Sequence, residues 1–153
     1  MAEINGMAHA ILTVTSFEKA RAFYGRLLPF LGMSKVFDNE GFVYWVGGRT
    51  AIGIQPAEEA HRGQRFVQYR VGLHHLCFRA KAREDVDRLA EFLRGENAMI
   101  VRGPQEGGWA PGYYYVLFED PDGIRLELCH VPGQGLLDGN SGFGSAADFR
   151  RPV

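Results

Sequence analysis

A short strand-like motif with a histidine at its third place occurs twice in this chain, over residues 7–12 and over residues 73–78. The first copy reads Met-Ala-His-Ala-Ile-Leu and the second reads Leu-His-His-Leu-Cys-Phe. Each copy is followed shortly by a helical pattern and then by strand-like segments. Internal repetition of this kind constrains the fold strongly, because each repeat is one supersecondary unit that must bury its apolar face.

Apolar residues at helical spacing predict one helix over residues 16–28 and a second over residues 83–94. Ser16 is the expected N-cap of the first helix, because its hydroxyl can accept a free backbone N–H. Pro29 and Gly32 are expected to end that helix.

Three strands are expected after each helix. They are predicted near residues 34–37, 42–46 and 50–54 in the first half, and near 99–102, 113–118 and 124–130 in the second. Turn signals separate the last two strands of each half, at residues 47–48 and 120–123. The sequence thus predicts two modules, over about 4–56 and 70–132, followed by an irregular tail over 133–153 that is rich in Gly and Ser.

Side chains alternate between the two faces of a strand. In the first strand this alternation turns His9 away from the helix. In the fifth strand, taken to include residues 73–80, it does the same for His75 and Cys77, whereas His74 is expected on the helix side in a structural role. In the last strand Glu127 faces opposite to the apolar positions.

Two imidazoles and one carboxylate are a suitable ligand set for a divalent ion. Three protein ligands leave open positions for water or substrate, as catalytic metals require. The residues alone leave alternatives open. His9 and His75 also fit ordinary packing or surface positions, and Glu127 also fits a surface-facing place on an edge strand.

Composition excludes several classes of function. Seventeen Lys and Arg against eighteen Asp and Glu give a net charge of −1, which offers no field for nucleic acid. No apolar run approaches the roughly 20 residues of a membrane helix, and residues 1–8 show no signal-peptide pattern. With two cysteines among 153 residues, Cys77 and Cys129, a disulfide framework is not expected, and both thiols are expected to pack inertly. A cytoplasmic location follows as the expectation.

The repeat resembles the vicinal oxygen chelate superfamily, which includes glyoxalases, fosfomycin- and bleomycin-resistance proteins and extradiol dioxygenases. The resemblance covers residues 4–132 and is most specific at residues 112–128, Gly-Tyr-Tyr-Tyr-Val-Leu-Phe-Glu-Asp-Pro-Asp-Gly-Ile-Arg-Leu-Glu-Leu. It implies a single α+β domain of two βαβββ modules, forming an open mixed β-barrel around a central cleft. It also implies one divalent ion (Zn, Ni, Fe or Mn) held by His9, His75 and Glu127.

The resemblance leaves one further ligand position open. Metal-binding members often place Gln, Glu or His on the last strand of the first module. In this chain that position corresponds either to Gly53, which leaves three protein ligands, or to Gln55, in a register shifted by two residues.

By the same resemblance, the expected function is that of a metal-dependent glyoxalase-like lyase or isomerase, with Glu127 as the catalytic base. Its small-molecule substrate would be chelated through vicinal oxygens beside Tyr44, Tyr113 and Tyr115, although these aromatic residues also fit plain packing. A dioxygenase or thiol transferase on the same metal, or a metal-free binding protein of the bleomycin-resistance kind, is the alternative. Ring cleavage is disfavoured because Leu117 stands where extradiol dioxygenases tend to carry a tyrosine. A homodimer is expected.

Overall fold

A computed structural model describes residues 1–137 of the chain. The chain divides into two compact units, the first comprising residues 1–66 and 121–123, the second comprising residues 67–120 and the chain from residue 124 onward. Of the predicted irregular tail, residues 133–137 are described and include a short 3-10 turn, Gly135–Leu137. Residues 138–153 lie outside the described part.

The predicted order of strand, helix and three strands is confirmed in both modules. The first module contains β1 (His9–Val14), α1 (Phe17–Phe30), β2 (Ser34–Asp38), β3 (Val43–Gly47) and β4 (Thr50–Pro56). The second contains β5 (Leu76–Arg79), α2 (Arg83–Gly95), β6 (Met99–Glu106), β7 (Tyr114–Glu119) and β8 (Arg125–His130). A 3-10 turn, Glu59–His61, lies in the segment between them.

The strands form two four-stranded mixed sheets with the same topology, in the orders β1-β4-β3-β2 and β5-β8-β7-β6. In each sheet the first strand runs parallel to the last strand of its module, and the other pairings are antiparallel. Each helix contacts strands of its own sheet. The repetition seen in the sequence is therefore a repetition of structure, and the fold class is α+β.

Helix α1 buries the stripe that the spacing predicts, which consists of Ala20, Phe23, Tyr24, Leu27 and Leu28. Two details of the prediction are wrong. Ser16 occupies the N-cap with an extended backbone, but its hydroxyl makes no capping hydrogen bond. Pro29 lies inside the helix instead of ending it, because a proline in the last turn removes only one backbone hydrogen bond. Gly32, at φ +80°, follows the end of the helix.

The strand β6 extends to Glu106, beyond the predicted end at residue 102. Its register against β7 shifts between Arg102 and Gln105, which interrupts the alternation of side chains from which the end was predicted. Gly103 lies in this bulge at φ +86°, and a Cβ there would come within 2.3 Å of the Tyr115 carbonyl oxygen. Glycine is therefore required at this position.

The predicted turn at residues 120–123 joins β7 to β8. The Asp120 carboxylate accepts a hydrogen bond from the Ile124 N–H at 2.8 Å. The Asp122 carboxylate accepts two more, from the Thr15 N–H at 2.5 Å and the Thr15 hydroxyl at 2.7 Å. The turn thus also fixes the end of β1. Among residues 1–137, neither helix is long and apolar enough to cross a bilayer.

Candidate functional site

Glu127 lies on β8, an interior strand of the second sheet between β5 and β7. It pairs with Cys77 on the parallel strand and with Leu117 on the antiparallel one. Only 3% of its surface is exposed. This placement excludes a surface-facing glutamate on an edge strand, which was the plain alternative left open by the sequence.

The Glu127 carboxylate is surrounded by polar groups of the second unit. The Tyr113 hydroxyl donates a hydrogen bond to Oε1, and Cys77 Sγ lies 3.5 Å from the same oxygen. His75 Nε2 lies 3.6 Å from Oε2. A buried carboxylate is costly unless its oxygens have partners, and here both oxygens face groups that can satisfy them.

His75 is held by the histidine before it. Nδ1 of His74 lies 2.8 Å from Nδ1 of His75, and the two rings meet edge to face. The expectation that His74 faces the helix side is wrong, because β5 begins only at Leu76 and strand alternation does not extend to residue 74. Since the Nδ1 of His75 faces His74, its Nε2 is the nitrogen presented to Glu127.

The spacing of the His75 and Glu127 donor atoms matches that of two ligands of one divalent ion. Ligands bound at about 2.0–2.2 Å in tetrahedral geometry lie roughly 3.3–3.6 Å from each other, and His75 Nε2 and Glu127 Oε2 are 3.6 Å apart. His74 and Tyr113 contact His75 and Glu127 in the way that outer-shell partners orient the donor atoms of metal ligands. The chemistry of the donor set, imidazole with carboxylate, suits Zn, Ni, Fe or Mn.

His9 lies in the first unit, at the start of β1, and its side chain is exposed. It lines a cleft of about 430 Å³ together with Ile11, Phe37, Phe42 and Tyr44. The ring of Tyr44 stacks on Phe42 at 5.7 Å between centroids, and Phe42 also meets Phe37 at 6.1 Å. The first module therefore presents His9 beside an aromatic, apolar surface.

The strand register decides between Gly53 and Gln55. In the first sheet Ile11, two residues after His9, pairs with Gly53. In the second sheet Cys77, two residues after His75, pairs with Glu127. Gly53 is therefore the structural equivalent of Glu127 and supplies no ligand. Gln55 instead donates a hydrogen bond from Nε2 to the Thr13 hydroxyl at 3.1 Å.

The absence of a side chain at Gly53 shapes the cleft. A Cβ there would lie 2.6 Å from Ile11 Cδ1 and 2.9 Å from Phe42 Cζ. Both are ends of side chains that can rotate, so we expect Gly53→Ala to fold and to displace them into the cleft. The change in the free energy of unfolding should stay within about 1–3 kcal/mol. Binding of an apolar fluorescent dye, measured by titration, should weaken about 10-fold or more, as expected when a pocket loses the space of one methyl group.

Gly25→Ala is the matched control for that measurement, since a Cβ at Gly25 meets nothing within 4 Å. Dye binding should be unchanged in this variant. Equal affinity in Gly53→Ala and the parent chain would mean that the dye does not occupy the cleft beside His9.

The two predicted tyrosines of the second module differ in their surroundings. Tyr113 is half-buried, and burial together with the nearby Cys77 and Glu127 raises the pKa of its hydroxyl, so that it remains a donor at neutral pH. Tyr115 is 2% exposed, and its hydroxyl accepts a hydrogen bond from Gln105 at 3.3 Å. Trp109, which the sequence reasoning did not single out, packs edge to face against both rings.

The two cysteines lie beside the Glu127 carboxylate. Cys77 is exposed and Cys129 is buried, and both thiols are free. Their Sγ atoms and a Glu127 oxygen all lie within 4.8 Å of one another. The interaction between the two neighbouring thiols raises the pKa of Cys77 and lowers the pKa of Cys129 to about 7. Their parity with Glu127 was the available signal for this cluster.

Comparisons with known proteins agree with this architecture. A family model for the Glyoxalase/Bleomycin resistance protein/Dioxygenase superfamily matches residues 6–128. An uncharacterized protein of Bacillus subtilis, YqjT, is 34% identical over 125 residues, covering 80% of this chain and 96% of its own length. The crystal structure of a provisionally assigned glyoxalase from Bacillus halodurans aligns with a TM-score of 0.74 at 30% identity, covering 83% of this chain and 96% of that one.

More distant structures share the fold. A lactoylglutathione lyase from Agrobacterium tumefaciens aligns with a TM-score of 0.62 at 19% identity, covering 84% of this chain and 96% of that one. Three observations lead to one assignment: the module is doubled, a hairpin carries Glu127, and the family model matches most of the chain. The chain belongs to the Glyoxalase/Bleomycin resistance protein/Dioxygenase superfamily.

Proposed function

We propose that this protein is a metal-dependent lyase or isomerase acting on a small substrate chelated through vicinal oxygens. His9, His75 and Glu127 are the proposed ligands of one divalent ion, which is Zn, Ni, Fe or Mn. The observation that carries the proposal is the buried Glu127 carboxylate, whose Oε2 lies 3.6 Å from His75 Nε2. A buried carboxylate facing an oriented imidazole nitrogen is the pairing expected of two metal ligands.

The groups around Glu127 suit proton transfer. An ion held by His9, His75 and Glu127 would act as a Lewis acid toward a substrate carbonyl. Tyr113 stays protonated and holds Oε1 through its hydrogen bond. The Glu127 carboxylate, oriented in this way, is the proposed acceptor of the substrate proton, a role worth about 10²–10⁴ in rate.

The proposed substrate contacts come from aromatic residues near the ligands. Tyr44 lines the cleft beside His9, and Tyr113 lies against Glu127. We assign both to substrate binding. Tyr115 is buried and contributes by supporting Tyr113, whose ring it meets at 5.8 Å between centroids.

One observation favours proton transfer over ring-cleaving oxygenation. Leu117, an aliphatic residue, pairs with Glu127 across the sheet, and it occupies the place where ring-cleaving relatives tend to have a tyrosine. Thiol transfer on the same ion remains an alternative, because it needs no redox-active metal. Oxygenation needs Fe or Mn, so the identity of the native metal separates it from the lyase reaction.

Glu127→Gln tests the proposal directly. Purified protein is assayed for metal content and then, with each metal restored, for isomerisation of α-hydroxycarbonyl compounds and thiol–aldehyde adducts. We expect one ion per chain in the parent protein and a rate lowered about 10²–10⁴-fold in Glu127→Gln. Glu119→Gln is the control, since the Glu119 carboxylate forms an ion pair with Arg125 at 3.4 Å. An unchanged rate in Glu127→Gln would contradict the role of this carboxylate.

A metal-free binding protein is the second candidate, and the apolar cleft of about 430 Å³ beside His9 favours it. Such a protein would bind a flat, apolar molecule between Phe37, Phe42 and Tyr44 and would catalyse no reaction. Purified protein without stoichiometric metal, with the same melting temperature in the presence and absence of Zn, Ni or Fe, would support this candidate over the enzyme.

We further propose a homodimer in the cytoplasm. Small single-domain members of the superfamily commonly pair, and two free thiols, Cys77 and Cys129, suit a reducing compartment.

A further inference from the structure

The carboxylate of Glu127 faces two different sets of donor atoms. Its Oε2 faces His75 Nε2 at 3.6 Å. This pair belongs to the metal site of the proposed function, referred to below as the histidine site. Its Oε1 faces Cys77 Sγ at 3.5 Å. Cys129 follows two residues after Glu127 on the same strand and therefore lies on the same face of the sheet.

Cys77, Glu127 and Cys129 form a compact cluster, referred to below as the thiol cluster. One donor atom from each residue lies within 4.8 Å of the other two. A tetrahedral ion with metal–sulfur bonds of about 2.3 Å and metal–oxygen bonds of about 2.0–2.2 Å would separate sulfur from oxygen by roughly 3.6 Å. The observed distance of 3.5 Å between Cys77 Sγ and Glu127 Oε1 matches this value.

We propose that the thiol cluster is a second metal site, specific for a thiophilic divalent ion such as Cd(II) or Zn(II). Thiolate ligands select soft ions, whereas imidazole and carboxylate accept a wider range of metals. On binding, the two thiols release their protons to solvent and two metal–sulfur bonds form, while Glu127 contributes one carboxylate oxygen as the third ligand.

The exposure of Cys77 gives an ion access to the thiol cluster. Cys77 is exposed, whereas Cys129 and Glu127 are buried. The ion therefore meets Cys77 first, and its fourth position faces solvent on that side. Because Glu127 belongs to both donor sets, a thiophilic ion in the thiol cluster would compete for the carboxylate of the histidine site.

The test is a titration of the reduced, metal-stripped full chain with Cd(II), followed by the ultraviolet absorbance of cadmium–thiolate bonds. We expect one Cd(II) per chain with the absorbance of two thiolates. Cys77→Ser and Cys129→Ser should each weaken Cd(II) binding by more than about 100-fold. This exceeds the loss of metal affinity that typically follows removal of a residue that only contacts a ligand. His75→Ala should keep the full absorbance change.

Cys77→Ala extends the test, since residue 77 is exposed and its replacement should leave the fold intact, as checked by circular dichroism. Full cadmium–thiolate absorbance in both serine variants, or none in the parent chain, would overturn the proposal. A loss of cadmium–thiolate absorbance in His75→Ala as large as in the serine variants would also overturn the proposal, because the thiols would then belong to the histidine site. Failure of the proposed function is a separate result: no activity and no histidine-dependent metal, with the cadmium–thiolate absorbance retained.

Discussion

His75→Ala should remove the stoichiometric divalent ion, and with it the activity, whereas His74→Ala should retain the ion at reduced affinity. His75 offers Nε2 toward Glu127 at 3.6 Å, so its loss deletes a proposed ligand. His74 faces the other nitrogen of His75, at 2.8 Å between the Nδ1 atoms. Removal of an outer-shell partner of this kind typically lowers metal affinity 10–100-fold.

Elemental analysis of dialysed protein measures the stoichiometry, and competition with a chromophoric chelator measures the affinity. The two variants are well matched, since they remove the same side chain from adjacent positions outside the strand. Metal retained in His75→Ala at the parent level would show that Nε2 of His75 is not a ligand. Complete loss in His74→Ala would instead identify residue 74 as the ligand.

Phe118→Ala should produce a large loss of stability. Phe118 lies on β7 with no exposed surface, and β7 contacts both β8 and α2. Truncating a buried phenylalanine to alanine removes apolar contacts and leaves a cavity, which typically costs about 3–5 kcal/mol in the free energy of unfolding. At about 2–4 °C for each kcal/mol, the melting temperature should fall by several degrees or more.

Val36→Ala is the comparison variant, because 59% of Val36 is exposed on β2. Its free energy of unfolding should change by no more than about 0.5 kcal/mol. Urea unfolding followed by circular dichroism measures the free energy of unfolding of both variants. The slope of that free energy against urea concentration should be the same in the two. A Phe118→Ala midpoint as close to the parent value as that of Val36→Ala would contradict the assignment of Phe118 to the core.

The order of elements was predictable from the sequence because it depends on local periodicity. The apolar stripe of α1 and the turn at residues 120–123 are both local signals, and both are confirmed. Element ends were less predictable. The bulge around Gly103 depends on the close approach of the Tyr115 carbonyl, which is a contact between strands and leaves no trace in the spacing of residues.

The candidate site was predictable in part. Alternation along β8 correctly put Glu127 and Cys129 on one face, because that prediction requires only that the strand is regular. The same rule failed at His74, since the chain is not yet a strand at that residue. The pairing of Cys77 with Glu127 depends on the register between β5 and β8, which no single strand encodes. The thiols were expected to be inert because a buried thiol usually only packs.

The glycine at position 53 has a consequence for the ligand chemistry of the first module. Its register counterpart in the second module is the Glu127 carboxylate, so the two modules differ in ligand chemistry at equivalent positions. A Cβ at residue 53 already meets Ile11 and Phe42 within 3 Å, and an ionised side chain would have to be desolvated among them. A single Gly53→Glu change is therefore expected to displace both side chains and to leave the new carboxylate among apolar groups. A second acidic ligand at this position would need polar partners that the first module does not supply in the cleft, whose lining is mainly apolar and aromatic.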